Sequence, residues 1–351
     1  MQYARKYDIA IVGATGNTGR KTLEILAERN FPTSNIIVIA SDRSLNSKVS
    51  YRDKTLETVS FSSVDFSKVQ LAFFCAGGVF SKNHAEEVAR RGCVVIDKTS
   101  HFRLNPKVPL VIPEVNVAAL NKGAPLGIVS APNCIAIPLV MTLKALSEVS
   151  PMKRVIVSTY QSVSGAGRQG VDELFSQTKN VLSSFDITSQ FFPKQIAFNV
   201  IPAIGDTLPS GSCEEEEKII SEVCKIMKSD IRVAATCVRV PVFVGHCMSV
   251  VCEFSRPVSE ENVYDAFENF NGTIAVDRRG KDREFMTPID AQGEDAVYVS
   301  RIRRDNTVKN GIMFWIAADN LRKGAALNSV QIAEEMINID PLLTIFKRKK
   351  A

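Results

Sequence analysis

Short apolar runs alternate with amphipathic stretches through the first third of this chain. The runs have the length of buried strands and lie at 8–12, 35–40, 71–74 and 93–96. The stretches at 17–29 and 81–91 carry apolar residues at helical spacing, so each predicts a helix that packs one face on a sheet. Strands that alternate with helices are typical of a parallel sheet. We therefore predict a Rossmann-type, doubly wound α/β domain.

The pattern changes after residue 134, where strand-like runs follow one another without regular helices between them. These runs lie at 153–161, 232–240, 247–254, 297–303 and 311–318. They predict a mixed, largely antiparallel sheet and give the second domain an α+β character. One face of such a sheet needs a cover, and we expect a second copy of the chain to supply it in a homodimer.

A helical pattern at 323–337 closes the chain, and we expect this helix to return to the first domain. The predicted domains are therefore 1–133 with 320–351, and 134–319.

The join between the two patterns contains a cysteine at a predicted helix start. An apolar strand at 127–131 meets Pro132 and Asn133, and an apolar helix is expected to follow. With Asn133 as the N-cap, Cys134 would lie in the first helical turn, where N–H groups stabilise a thiolate. However, Pro138 lies too deep for a first turn under this cap, and free cysteines are most often inert and buried. Position alone therefore leaves both a nucleophilic and an inert Cys134 open.

The turn after the first strand contains glycines at 13, 16 and 19 and leads into the first helix. Glycines at this spacing allow a sharp turn, close approach of backbone N–H groups to a pyrophosphate, and packing of the helix on the strand. The context of strand, glycine turn and helix predicts a dinucleotide site.

The segment after the second strand decides between cofactors in such folds. Arg43, flanked by Ser41 and Ser44, suits a ribose 2′-phosphate and favours NADP. Asp42 suits a free 2′-hydroxyl, so NAD also remains open.

Two further glycine turns follow predicted strands. The first, 75–78, lies where such folds bind ligands, and a cofactor contact and a simple loop are equally open there. The second, 162–167, leads into a helix predicted near 170–184 and is either a cofactor contact or a helix-entry loop.

Several charged side chains are candidates for binding anions or moving protons. Arg103 follows a strand and could clamp an anion, although most single arginines are solvated. His246, one of three histidines, stands beside Gly245 where two strands meet, and Arg239 lies in the same region. Glu215 fits a capping box that begins at Ser212, which is the simple interpretation of its position. Lys218 shares a helix face with it.

Composition excludes several classes of protein. With 45% hydrophobic and 23% charged residues, the chain is globular and neither disordered nor fibrous. The net charge of +5 is mild, and basic residues cluster only at 301–304 and 347–350, so we expect no nucleic-acid partner. No apolar run reaches the length of a membrane span, and the N-terminus does not resemble a signal peptide. The eight cysteines form no Cys-x-x-Cys pair, so we expect no metal and free thiols in a reducing cytoplasm.

A series of motifs in order along the chain carries a resemblance to a known family. They are GATGNTG at 13–19, SDRS at 41–44, CAGG at 75–78, DKTSHFR at 97–103, PLVIPEVN at 109–116, SAPNC at 130–134, STYQSVSGAG at 158–167, IAFNVIPAIG at 196–205, EEEEK at 214–218, CVRVPVFVGH at 237–246 and DNLRKGAALNSVQIAE at 319–334. In this order and spacing, the chain resembles the bacterial-type aspartate-semialdehyde dehydrogenases over nearly its whole length.

The resemblance implies a role for each candidate residue. Cys134 would be the nucleophile and His246 the acid and base, while Gln161 would orient the substrate carbonyl. The substrate-binding residues would be Arg239 for the α-carboxylate, Glu215 for the ammonium group, and Arg103, Lys218 and Asn133 for phosphate. NADP would contact Gly13, Ala14, Thr15, Gly16, Asn17, Thr18, Gly19, Ser41, Arg43, Ser44, Cys75, Ala76, Gly77, Ser164, Gly165, Ala166, Gly167 and Asn320.

The reaction that the resemblance implies is the reduction of 4-phospho-L-aspartate to L-aspartate 4-semialdehyde with release of phosphate, on the route to lysine, diaminopimelate, threonine and methionine. An acyl phosphate needs a soft nucleophile, a hydride donor and a proton donor, and the chain offers one group for each. The alternatives are an N-acetyl-γ-glutamyl-phosphate reductase, whose acylated substrate carries no charge for Glu215 to pair with, and a non-enzymatic dinucleotide sensor.

Overall fold

A computed structural model describes residues 5–280 and 284–348 of the chain. The chain divides into two compact units, Met1–Asn133 with Ala325–Ala351, and Cys134–Gly324. Residues 320–324, which the sequence pattern placed with the first domain, lie in the second unit. The reason is local, because Asp319 and Asn320 bond to backbone N–H groups of Gly293 and Gly245 in that unit.

The first unit is built on a parallel sheet. Its elements are β1 (Tyr7–Val12), α1 (Asn17–Glu28), β2 (Thr33–Ile39), β3 (Lys48–Tyr51), β4 (Lys54–Glu57), β5 (Leu71–Phe74), α2 (Gly78–Arg90), β6 (Val94–Asp97), α3 (Pro113–Asn116), β7 (Ile128–Ser130) and α9 (Leu327–Ile339). Five strands pair in the order β2-β1-β5-β6-β7, and each pairing is parallel. Strands β3 and β4 form a separate antiparallel hairpin.

Both faces of this sheet are covered by helices. Successive residues of β1 point to opposite faces, so Ile9 and Ile11 pack with the apolar sides of α1 and α9. Ala10 and Val12 pack with α2 on the other face. The doubly wound α/β domain predicted from the sequence is therefore confirmed. The C-terminal helix α9 packs on α1 and β6 of this sheet.

The second unit is built on a mixed sheet. Its elements are α4 (Ala136–Ser147), β8 (Met152–Gln161), α5 (Arg168–Leu182), α6 (Glu214–Met227), β9 (Arg232–Arg239), β10 (His246–Phe254), α7 (Glu260–Asn269), β11 (Thr273–Ala275), α8 (Pro288–Ala291), β12 (Val297–Asp305) and β13 (Gly311–Ala318). The six-stranded order is β11-β12-β13-β10-β8-β9, with three antiparallel and two parallel pairings. The predicted mixed, largely antiparallel sheet is confirmed.

The two faces of this sheet differ in cover. Helices α4, α6 and α7 pack around the face to which Val155 and Val157 point, and both side chains are fully buried. On the opposite face, Tyr160 is 37% exposed and packs its ring 5.2 Å from that of Trp315. A cavity of about 360 Å³ opens beside these two rings.

None of the helices in the described part of the chain is both long and apolar enough to cross a membrane. Within residues 5–280 and 284–348, no group of three or more His, Cys, Asp or Glu side chains is arranged to hold a metal ion.

Candidate active site

Cys134 lies in the turn between β7 and α4. Helix α4 begins at Ala136 and is capped by Ile135, so the prediction that Asn133 is the N-cap is wrong. The later start places Pro138 at the third helical position, where a missing N–H costs no intrahelical bond. Cys134 therefore precedes the first turn, and the contribution of the helix dipole to its reactivity is smaller than the sequence indicated.

Gln161 and Arg239 lie side by side at the ends of two parallel strands. They are register partners in β8 and β9, and both are buried. Gln161 donates from Nε2 to Oε1 of Glu215 at 3.1 Å and accepts at Oε1 from the hydroxyl of Thr159 at 2.8 Å. An amide with both ends engaged has a fixed orientation, so Gln161 is held rigidly at this strand end.

Arg239 is a buried cation whose charge is only partly balanced by the negative charges near it. Its Nη1 donates to the backbone oxygen of Ser162 at 2.7 Å. Burial lowers the pKa of Arg239, and the negative charges of Cys134 and Glu215 act in the opposite direction. Because Arg239 attracts negative charge at both residues, it favours the thiolate form of Cys134 and suits an anionic ligand.

His246 is almost completely buried beside this arginine. Its Nδ1 accepts from the backbone N–H of Ser162 at 3.0 Å. Burial, reinforced by the nearby charge of Arg239, lowers the pKa of His246 to about 3. A Cβ atom added at Gly165 would lie 3.0 Å from His246 Nε2 and 3.2 Å from Arg239 Nη1. Glycine at 165 therefore leaves the space in front of both groups open.

Glu215 does not cap its helix. Helix α6 begins at Glu214 with Cys213 as N-cap, and Glu216 Oε2 accepts from the Cys213 N–H at 2.8 Å. The capping box predicted at Ser212 and Glu215 is wrong by one residue in register. This leaves the Glu215 carboxylate at the strand ends with Gln161.

Lys218 lies one helical turn along α6. Its Nζ donates to Oε2 of Glu214 at 3.0 Å. Both side chains are partly exposed, so this pair contributes little stability and can rearrange around a ligand.

Arg103 and Asn133 belong to the first unit, and both are buried. The guanidinium of Arg103 donates from Nε to the carbonyl of Ala131 at 3.0 Å and from Nη2 to that of Lys98 at 2.9 Å. Two backbone anchors fix the plane of the guanidinium, which is the geometry required for an oriented anion contact.

The first glycine turn has the close contacts that a dinucleotide loop requires. Gly13 has a φ of +85°, and a Cβ there would lie 2.9 Å from the backbone of Cys75. A Cβ at Gly19 would lie 2.2 Å from the Gly13 oxygen, so no larger residue fits. Helix α1 starts beyond Gly16 with no acidic residue in its first turn and no side-chain cap, which leaves its N–H groups suited to a phosphate.

The other predicted cofactor residues lie in three parts of the structure. Gly77 has a φ of +92°, so the turn after β5 needs glycine there for backbone reasons. Ser41 and Arg43 are exposed at the end of β2. Ser44, Cys75 and Ala76 also belong to the first unit. The predicted residues at 164–167 and Asn320 belong to the second unit, where Ser164 and Asn320 are buried and bonded to each other while Gly165 is exposed.

Two residues of the second unit and one of the first were missed by sequence reasoning. Ser162 contacts His246, and Gly324 contacts the backbone of Cys134. Lys98 follows β6 and donates to the hydroxyl of Thr22 at 3.1 Å, and burial lowers its pKa. Ser162 directly follows Gln161 in a glycine turn, and that adjacency was the available signal. The contacts of Gly324 and Lys98 are long-range, so no local pattern marks them.

Comparisons with known proteins match both halves of the chain. Residues 8–123 match the family model described as "Semialdehyde dehydrogenase, NAD binding domain", and residues 143–323 match "Semialdehyde dehydrogenase, dimerisation domain". The aspartate-semialdehyde dehydrogenase of Rickettsia bellii is 50% identical over 95% of this chain and 98% of its own length. The chain belongs to the aspartate-semialdehyde dehydrogenase family. The resemblance seen in the sequence is thereby confirmed.

Solved structures of the aspartate-semialdehyde dehydrogenase family share the whole fold. The aspartate semialdehyde dehydrogenase II of Vibrio cholerae, complexed with ASA, superposes with a TM-score of 0.92 at 41% identity, covering 95% of this chain and 99% of that one. A probable aspartate-semialdehyde dehydrogenase from Pseudomonas aeruginosa gives a TM-score of 0.89 at 33% identity, covering 95% and 99%. Membership in this family confirms the predicted oxidoreductase class and a domain for a nicotinamide dinucleotide.

Proposed function

We propose that this protein reduces 4-phospho-L-aspartate to L-aspartate 4-semialdehyde and phosphate, reversibly and with NADPH. The observation that carries the proposal is the cluster of Gln161, Glu215, Arg239 and His246 in the second unit. It offers a cation and an anion for the two charges of an amino acid, together with a buried imidazole. The product would feed the synthesis of lysine, diaminopimelate, threonine and methionine.

Cys134 acts as the nucleophile. Its thiolate attacks the acyl carbon, a carbon–sulfur bond forms, and the carbon–oxygen bond to phosphate breaks, so phosphate leaves and takes up one proton from solvent to become the dianion. Arg239 attracts the negative charge of the thiolate and so helps to keep Cys134 deprotonated. Gln161, held at both ends of its amide, orients the carbonyl of the substrate.

His246 supplies a proton donor. When bound, the cofactor supplies a hydride to the carbonyl carbon of the thioester. In that step the carbonyl oxygen gains negative charge, and His246 donates to it. Collapse of the resulting thiohemiacetal returns the hydroxyl proton to His246, breaks the carbon–sulfur bond and releases the thiolate of Cys134. Because His246 is buried, water does not reach this proton.

Charged residues recognise the three ionic groups of the substrate. Arg239 binds the α-carboxylate, since a buried guanidinium favours a bidentate carboxylate partner. Glu215 pairs with the ammonium group. Arg103, with Lys218 and Asn133, binds the phosphate, and the two backbone anchors of Arg103 hold its guanidinium in one plane for that contact.

The glycine turns bind the dinucleotide. The close approach of Gly13 to Cys75 and the uncapped start of α1 support a pyrophosphate contact. We assign NADP because Arg43, Ser41 and Ser44 offer three donors to a 2′-phosphate. Asp42 would repel that phosphate, but it is a single group against these three. In the second unit, Ser164, Gly165, Ala166, Gly167 and Asn320 are proposed to lie against the nicotinamide end. A preference for NAD, or an unchanged preference for NADP after Arg43→Ala, would contradict this assignment.

The partly exposed sheet face supports a homodimer. Tyr160 and Trp315 lie on that face, and a second copy of the chain would remove both from water. A monomer in sedimentation at micromolar concentration would contradict this. We also place the enzyme in the cytoplasm, where its free thiols would stay reduced.

The substrate is tested by phosphate-dependent reduction of NADP with two aldehydes. We expect turnover with L-aspartate 4-semialdehyde and little or none with N-acetyl-L-glutamate 5-semialdehyde, because the acylated nitrogen has no charge for Glu215. Activity with the acetylated aldehyde alone would instead support the reductase of the acylated pathway. Binding of the dinucleotide without turnover of either aldehyde would support a sensor.

A further inference from the structure

One ring nitrogen of His246 is held as a hydrogen-bond acceptor. The backbone N–H of Ser162 points at Nδ1 from 3.0 Å, and the hydroxyl of the same serine lies 3.1 Å from it. A backbone N–H can only donate, so Nδ1 must carry its lone pair. In a neutral imidazole the proton then lies on Nε2.

The side chain of Asn320 has only one possible orientation. The backbone N–H of Gly245 donates to one of its terminal atoms at 2.9 Å, which identifies that atom as the oxygen Oδ1. The amide nitrogen Nδ2 is then the atom that lies 2.9 Å from the hydroxyl of Ser164 and donates to it. The direction of this bond follows from a backbone group rather than from a choice of rotamer.

Two serines continue the direction of hydrogen-bond donation that Asn320 sets. Because Ser164 Oγ accepts from Asn320, its own proton is available for Ser162 Oγ, which lies 3.1 Å away. The proton of Ser162 can then point to Nδ1 of His246. Asn320 Oδ1 lies 3.2 Å from both hydroxyls and is a longer alternative acceptor that already receives the Gly245 N–H. Either arrangement leaves the Ser162 N–H on Nδ1.

We propose that Asn320, Ser164 and Ser162 form a directed hydrogen-bond relay that holds His246 as the neutral imidazole with its proton on Nε2. They are positioning residues, and His246 is thereby a hydrogen-bond donor in the resting enzyme and not a base for the nucleophile. The use of this donor toward the substrate carbonyl rests on the proposed function, whereas the tautomer itself does not. The sequence resemblance placed Ser164 and Asn320 at the cofactor, and the relay gives them a second task.

The other ring nitrogen is oriented for a ligand. His246 Nε2 is buried and has no hydrogen-bond partner within residues 5–280 and 284–348. A buried N–H without an acceptor is unfavourable, so an acceptor atom of a bound ligand would satisfy it. Charging the ring would add an N–H at Nδ1, directly facing that of Ser162. The charge of Arg239, which lies on β9 beyond β8 in the sheet, opposes a charged ring as well, whereas the backbone of Gly245 acts in the opposite direction.

The tautomer is tested by nitrogen NMR on protein labelled with 15N in histidine, without substrate. The chain has three histidines, so His246→Gln identifies the signals of interest by their loss. We expect long-range proton–nitrogen correlations of a neutral ring with the proton on Nε2 throughout pH 5–8. A proton on Nδ1, or a charged ring anywhere in this range, would overturn the proposal.

The relay is tested by reversing its first bond. Asn320→Asp replaces the donor Nδ2 by an acceptor with negative charge, so Ser164 and Ser162 can turn their protons away from His246. With the same signals followed from pH 8 down to pH 3, we expect the pKa of His246 to move upward by at least one pH unit from the wild-type value of about 3, with a smaller upward shift for Ser164→Ala. The matched control is Asn83→Asp, the same charge change at an exposed position of α2.

An unchanged titration of His246 in both relay variants would refute the relay. Ser164→Ala keeps the test decisive if Asn320→Asp does not fold. The measurement needs no turnover, so failure of the relay and failure of the proposed reaction are seen separately.

Discussion

Gly324 packs directly against Cys134. A Cβ atom at 324 would lie 3.2 Å from the backbone oxygen of Cys134 and 3.4 Å from its Cβ. Gly324 lies in the π-helix Arg322–Ala326, and such turns interrupt α-helices frequently at functional sites. The glycine lets the backbone of this turn approach the proposed nucleophile closely.

Gly324→Ala should therefore slow catalysis without unfolding the protein. The added methyl group displaces Cys134 by a few tenths of an ångström, and misplaced reacting groups lose rate steeply. We expect kcat to fall by about tenfold, while better helix propensity of about 0.5–1 kcal/mol offsets the tight contact in stability. Steady-state kinetics and thermal unfolding of the same sample measure both. Wild-type kcat in a folded variant would show that this contact does not position the nucleophile.

Glu215→Gln should weaken binding of a substrate that carries an ammonium group. The glutamine oxygen can still accept from Gln161, so the change removes charge and little else. Charge-assisted bonds are worth about 1.5–3 kcal/mol, so KM for L-aspartate 4-semialdehyde should rise by about tenfold or more. Glu217→Gln, on the same turn of α6, is the control. Equal effects of the two substitutions would remove Glu215 from the binding site.

The buried His246 should make stability depend on pH. The folded-state pKa of His246 is lowered from 6.5 to about 3. Stability is therefore full above pH 6.5 and falls with pH, because the unfolded chain takes up a proton that the folded chain refuses. Between pH 8 and pH 5 this group alone accounts for a loss of about 2 kcal/mol.

Urea unfolding of the wild type and of His246→Gln over pH 5–8 checks this prediction. Glutamine does not titrate, so the difference in unfolding free energy between the two proteins should shrink as the pH falls. A difference that stays constant over this range would mean that His246 is not held neutral.

Arg103→Leu should impair the use of phosphate selectively. In the aldehyde-oxidising direction, the apparent KM for phosphate should rise by about tenfold or more, since a charged, oriented donor is lost. Arg103→Lys keeps the charge but loses the planar fork, so its effect should be intermediate. Arg168→Leu on α5 removes an exposed arginine as the control. An unchanged phosphate KM in folded Arg103→Leu would place the phosphate elsewhere.

Local patterns were sufficient to predict the sheets and the glycine turn. The period of the apolar residues in β1 and α1 depends only on which faces are buried, so it is visible in the sequence. The glycines at 13 and 19 are needed by backbone contacts that any such turn makes.

Sequence patterns did not predict where helices start or which distant residues contact each other. Asn133 and Ser212 are both good capping residues, yet the helices begin at Ala136 and Glu214. Pro138 was the one local sign that α4 starts later. The bond of Ser162 to His246 joins residues 84 positions apart, so it depends on the pairing of β8 with β10.

The proposed covalent thioester at Cys134 can be trapped in the absence of phosphate. The enzyme is mixed with L-aspartate 4-semialdehyde and NADP without phosphate, quenched in acid and mapped by peptide mass spectrometry. We predict a burst of one NADPH per active site and one aspartyl group on the peptide that contains Cys134, with neither in Cys134→Ser. A burst that persists in Cys134→Ser, or a label on another cysteine, would show that Cys134 is not the nucleophile.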